Sequence, residues 1–158
     1  MKRTAVAVCA ALVVIAASVF AQATPNFAGK WTVIPDANTP AGGMGGLGQS
    51  ATIAQDAATL TITRTTQMGE FVTTYKLDGS DSKNTLKMQD ASIDMVSQVK
   101  PDGGKLVVTT SMSFDGNPVQ TSMTMSLDAA GNLVVESTRP DFQGGGGPIT
   151  TKMTYKKN

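Results

Sequence analysis

GKLVVTTS (104–111) followed by PVQTSMTM (118–125), and GNLVVEST (131–138) followed by PITTKMTY (148–155), are near-copies whose reading decides the fold. In each, apolar residues alternate with Thr, Ser, Lys, Gln or Glu. Strand side chains point alternately to opposite faces, so each run is a strand with one apolar and one polar side. Between the members of each pair stand clusters rich in Gly, Pro, Asn and Asp, which supply the backbone conformations that tight turns require. Each pair is therefore a hairpin.

Working outward, Leu60 and Leu86 open similar runs, and the same pattern extends from Ser50 to Lys156. The expected strands are 29–34, 50–54, 59–66, 70–77, 85–89, 92–99, 105–114, 119–127, 133–138 and 149–156. No stretch carries a helical period. Such a face cannot stay exposed, so the expected fold is all-β, an antiparallel up-and-down meander closing into a barrel of about 8–10 strands. Alternate loops share an end of such a barrel. One end holds the Gly-rich loops 35–49 and 139–148; the other holds tight turns carrying Asp56, Asp78, Asp81, Asp102 and Asp128.

Residues 1–23 read as a signal peptide. Lys2 and Arg3 precede an apolar run from Ala5 to Val19, and Ala21-Gln22-Ala23 offers cleavage after Ala21 or Ala23. The run is shorter than the 17–25 residues that a membrane span needs, so the remaining chain is expected to carry no membrane span. Export places it in the periplasm or the medium. About 135 residues, 24–158, then form one β-barrel domain. Of 13 basic and 12 acidic residues, cleavage removes Lys2 and Arg3, leaving 11 against 12 and a net charge of −1. Nothing in that balance draws the chain to nucleic acid or anionic lipid. No pattern specifies an oligomeric state.

Several chemistries are excluded. The chain has no His, and its one Cys, Cys9, lies in the leader. Ser-His and Cys-His nucleophiles and His/Cys zinc sites therefore have no residues to build them. Neither Gly-rich loop is followed by the Lys-Ser/Thr of a phosphate-binding loop. Asp78-Gly79-Ser80-Asp81 lacks the further carboxylates of a calcium loop and reads as a turn. A low aromatic content, 5%, and a polar second face argue against an outer-membrane barrel. No enzyme activity, cofactor or metal is expected.

Gly29-Lys30-Trp31 after Phe27, followed by a long loop and a meander, resembles the G-x-W opening of lipocalins and their calycin relatives, among them small secreted bacterial proteins. The resemblance implies that Trp31 plugs the closed end of the barrel. It also implies that Gly42, Gly43, Met44, Gly45, Gly46, Leu47 and Gly48 form a lid over the open end. Lipocalins usually set an Arg over that Trp, whereas the last strand here offers Lys152, Lys156 and Lys157.

Inside the expected barrel, Met95, Met112, Met123 and Met125 share the apolar face with Arg64 and Tyr75. Small residues at Thr73, Ser97, Thr110, Thr121, Ser137 and Thr151 have the same parity and leave room. Methionine is flexible and polarisable, suited to varied apolar ligands, and equally to filling a core. An inward Arg is costly without a partner: Arg64 either meets a ligand's carboxylate or phosphate, or points out at the strand end. Two readings follow. One is a carrier of a small apolar or amphipathic ligand, with Arg64 or Tyr75 orienting its polar head. The other is a filled, non-enzymatic envelope or extracellular β-domain acting through its surface or Gly-rich loops.

Overall fold

The structure is a computed structural model that describes residues 25–36, 46–66, 69–87, 92–114, 116–141 and 146–158. The expected leader and residues Gly42, Gly43, Met44 and Gly45 of the expected lid lie outside these. Ten strands form: β1 Gly29–Val33, β2 Ser50–Gln55, β3 Thr59–Thr66, β4 Gly69–Lys76, β5 Ser82–Lys87, β6 Ser92–Asp102, β7 Lys105–Phe114, β8 Asn117–Leu127, β9 Leu133–Arg139 and β10 Ile149–Lys157. All belong to one antiparallel sheet in the order β4-β3-β2-β1-β10-β9-β8-β7-β6-β5. The meander curls until its outer strands, β4 and β5, face each other across a seam. The result is a nearly closed barrel, without helices among the described residues.

The alternation of the sequence becomes the wall of this barrel. On β9, Leu133 and Val135 are buried while Glu136 is exposed; on β6, Met95, Ser97 and Val99 alternate with exposed Val96, Gln98 and Lys100. The buried apolar residues merge into one cluster running from Phe27 and Trp31 through Leu60, Ile62, Leu106, Met125 and Leu133 to Met153 and Tyr155. The near-copy hairpins pair as their spacing requires, with Val108 opposite Met123 and Val135 opposite Met153.

β1 is short but held on both sides, Trp31 lying opposite Ala51 of β2 and Lys157 of β10. The Trp31 indole N–H donates to the Phe27 carbonyl at 2.8 Å. Lys157 brings its ammonium to 5.6 Å from the ring centroid, a cation–π distance. A lysine thus occupies the position over the Trp. The glycine of G-x-W has a local reason. Gly29 sits at φ 148°, and a Cβ there would fall 2.5 Å from Cε of Lys157.

Three expectations shift. β5 begins at Ser82, three residues earlier than its apolar pattern indicates, and Leu86 lies near its end instead of opening it. Pro101 and Asp102 belong to β6, Pro101 lying opposite Leu106, so that the turn is Gly103-Gly104. β8 starts at Asn117, with Pro118 opposite Ser113. The aspartate turns form as expected: Asp56 accepts from the amides of Ala58 and Thr59, and Asp128 from those of Ala130 and Asn132. The Ala58 and Thr59 amides hold the Asp56 carboxyl below the ordinary carboxylate range, and the Asn132 side-chain amide, with the backbone amides, does so for Asp128.

Leu106 is fully buried, whereas Val96 is 37% exposed. Leu106→Ala should lower unfolding free energy by about 3 kcal/mol in urea titrations. Val96→Thr should change it by less than about 0.5 kcal/mol.

Candidate functional site

The barrel is filled toward one end and hollow toward the other. The cluster around Phe27, Trp31 and Leu133 packs one part of the interior, and beside it lies a cavity of about 280 Å³. The inward residues of β3 through β9 build its wall. Small residues open it: Thr73 of β4, Ser97 of β6, Thr110 of β7, Thr121 of β8 and Ser137 of β9 all line the space. Ser97 and Thr110 satisfy each other at 2.8 Å.

Arg64, Tyr75, Met95, Met112 and Met123 line this cavity together, and Gly46 reaches it from the long first loop. Met125 shares their parity yet lies fully buried in the packed cluster, away from the space. Trp31 is in that cluster too. Thr151 does not line the cavity; its hydroxyl approaches the Ser137 carbonyl at 3.5 Å. Arg139, at the end of β9, is a lining residue that the strand pattern did not single out.

The electrostatics of the cavity are one-sided. Among the described residues, two arginines line it and no carboxylate does. The Nε of Arg64 is buried and has no hydrogen-bond partner among the described residues. A buried donor without a partner forfeits the hydrogen bonds that water gave it. Arg64 stands opposite Ala51 of β2 and Phe71 of β4, so its neighbours in the wall offer no acceptor side chain.

Tyr155 on β10 was absent from the candidates, although its inward parity on the last strand was legible. Its hydroxyl accepts the Leu47 amide N–H at 2.8 Å and lies 3.5 Å from the Met153 sulfur. That bond fastens the end of the Gly-rich loop to the barrel interior and buries Leu47. Gly46 is required beside it: φ is +52°, and a Cβ would come within 2.8 Å of the Tyr155 hydroxyl oxygen. Burial pushes the Tyr155 phenol up to about 12, against smaller opposing effects of the Leu47 amide and the Arg64 charge. Among the described residues no three His, Cys, Asp or Glu side chains gather in a metal-binding group. No described helix is long and apolar enough to cross a membrane.

A phenol raised from 10.0 to about 12 contributes stability that is fully present below pH 10 and lost as pH rises toward 12. The loss should be on the order of 2–3 kcal/mol. Tyr155→Phe should remove that alkaline component and cost about 1 kcal/mol at neutral pH. Urea midpoints measured across pH check both; an equally steep alkaline fall in the variant would refute the assignment.

No protein-family model matches the chain, and no curated protein matches it in sequence. Its fold is similar to that of the zebrafish ileal bile acid-binding protein, solved in complex with cholic acid. The TM-score is 0.57 and the identity 20%, over 84% of this chain and 98% of that one. At that identity the likeness is one of fold, a nearly closed antiparallel barrel.

Proposed function

We propose that this protein is a non-enzymatic carrier that holds a small amphipathic anion in its barrel. The observation that carries the reading is Arg64, a guanidinium in the cavity wall whose buried Nε has no partner, in a lining with no carboxylate among the described residues. An acidic head group would pair with that guanidinium, and charge-assisted hydrogen bonds of this kind are the strong ones. Met95, Met112 and Met123 would take the apolar part by desolvation, with side chains that adapt to its shape. Tyr75 stands in the same wall, where its hydroxyl would help orient the head. The fold likeness supports the reading, because the zebrafish barrel was solved with a small molecule, cholic acid. The leader-like N-terminus supports a periplasmic or extracellular setting. A chain without His, its one Cys within that leader, suits carriage better than catalysis.

Two fluorophores of similar shape separate charge from apolar binding. Arg64→Met should weaken 1-anilinonaphthalene-8-sulfonate, an anion, by at least about tenfold. It should leave neutral N-phenyl-1-naphthylamine within about twofold. Met123→Trp should fill the cavity and weaken both. Equal binding of the anion to the parent and to Arg64→Met would overturn the assignment of Arg64. Undiminished binding of both dyes to Met123→Trp would overturn the cavity as the site.

A further inference from the structure

β4 and β5 are consecutive strands, joined by the turn at 77–81, yet no backbone ladder pairs them. Side chains do it instead. The Lys76 N–H donates to Ser82 Oγ at 2.8 Å. One step further, the Thr74 N–H donates to Asn84 Oδ1 at 2.8 Å, and Asn84 Nδ2 donates back to the Thr74 carbonyl at 3.0 Å. The Asn84 amide thus presents to Thr74 the acceptor and donor that a neighbouring strand would present. The next residue of the same parity on β5 is Leu86, which has no polar side-chain atom, and there the stitching ends among the described residues. Beyond it the seam opens into a slot of about 240 Å³. Thr73, Leu86 and Met95 line both this slot and the interior cavity, while Glu70 and Lys87 stand at the slot and not at the cavity.

We propose that the β4–β5 seam is the lateral door to the cavity and that Asn84 is its latch. A door needs an edge that separates without dismantling a ladder. Releasing the latch breaks two side-chain hydrogen bonds at an exposed position, whereas parting any other neighbouring pair breaks a run of backbone bonds. Phe71, Val72, Leu86 and Met95 give the slot an apolar half for the apolar part of a passing molecule, and Glu70, Thr73, Thr85 and Lys87 give it a polar half. A second hollow, bounded by Gln120, Arg139, Pro140 and Pro148, also borders the cavity. Its rim includes two prolines of fixed φ, and it lies at the end of the β8–β9 ladder, whose last pair, Ser122 with Thr138, forms part of its lining. The proposal rests on the carrier reading only for what passes through the door.

The test therefore uses no ligand. Ser97, buried at the cavity wall, is replaced by Cys in a chain starting at Thr24, which then has no other thiol. Reaction with neutral 4,4′-dithiodipyridine reports passage from solvent to cavity. Adding Asn84→Ala should speed the reaction about tenfold, the factor expected for losing one or two hydrogen bonds that hold the latch. Adding Leu86→Trp, which fills the slot, should slow it. Asp128→Ala, in a turn at the foot of β8, controls for general loosening and should leave the rate unchanged. A rate in Asn84→Ala no greater than in Asp128→Ala would overturn the proposal and move the passage to the β8–β9 hollow. The carrier reading would stand or fall separately, on the dye titrations.

Discussion

Everything in this barrel depends on a five-residue strand being hydrogen-bonded on both sides. β1 joins β2 to β10 and so unites a three-stranded piece, β2–β4, with a six-stranded one, β5–β10. Without it each piece would keep an apolar face that it could not bury alone. Its anchoring is correspondingly dense. Gln55 accepts the Phe27 amide and donates to the Pro25 carbonyl, Trp31 turns back to the Phe27 carbonyl, and Lys157 lies across the indole. The packed part of the interior grows from this junction. The hollow part lies farther along the same strands, where Thr110 follows Leu106 and Val108 on β7 and Ser137 follows Leu133 and Val135 on β9.

That division explains how a filled interior and an open one can coexist in one barrel. Small hydroxyl side chains at successive inward positions of β4, β6, β7, β8 and β9 leave the volume, and methionines shape it. Their own hydrogen bonds, as between Ser97 and Thr110, keep the wall satisfied. Arg64 is the exception. Its guanidinium is presented to the space by β3, at the boundary between the packed cluster and the cavity, with an apolar residue on either flanking strand.

Much of the architecture was legible because the signal is repetitive. The copies at 104–125 and 131–155 specify four strands, and turn chemistry at Asp56, Gly103, Gly116 and Asp128 separates their neighbours. What escaped was β5. Ser82-Lys83-Asn84 has turn-like composition, and only the fold reveals that these polar side chains substitute for a missing ladder. Parity also brought Arg64, Tyr75, Met95, Met112 and Met123 to one face, but parity says nothing of position along the barrel. Met125 has the same parity as Met123, yet it belongs to the packed cluster. Tyr155 was passed over because its role depends on the returning Gly-rich loop, 108 residues away in the chain, a separation that no local pattern encodes.

The pairing of the first strand with the last has a kinetic side. The hairpins β6–β7 and β7–β8 close over two-residue turns and can form while the rest of the chain is still unstructured. β1 can find its second partner only when β10 is present, because Trp31 and Lys157 come together across nearly the whole described chain. Closing so large a loop carries a high entropic cost before any contact rewards it. The barrel should therefore assemble from its C-terminal hairpins and shut last at β1, a slow-folding topology in which the chain's two ends complete the wall.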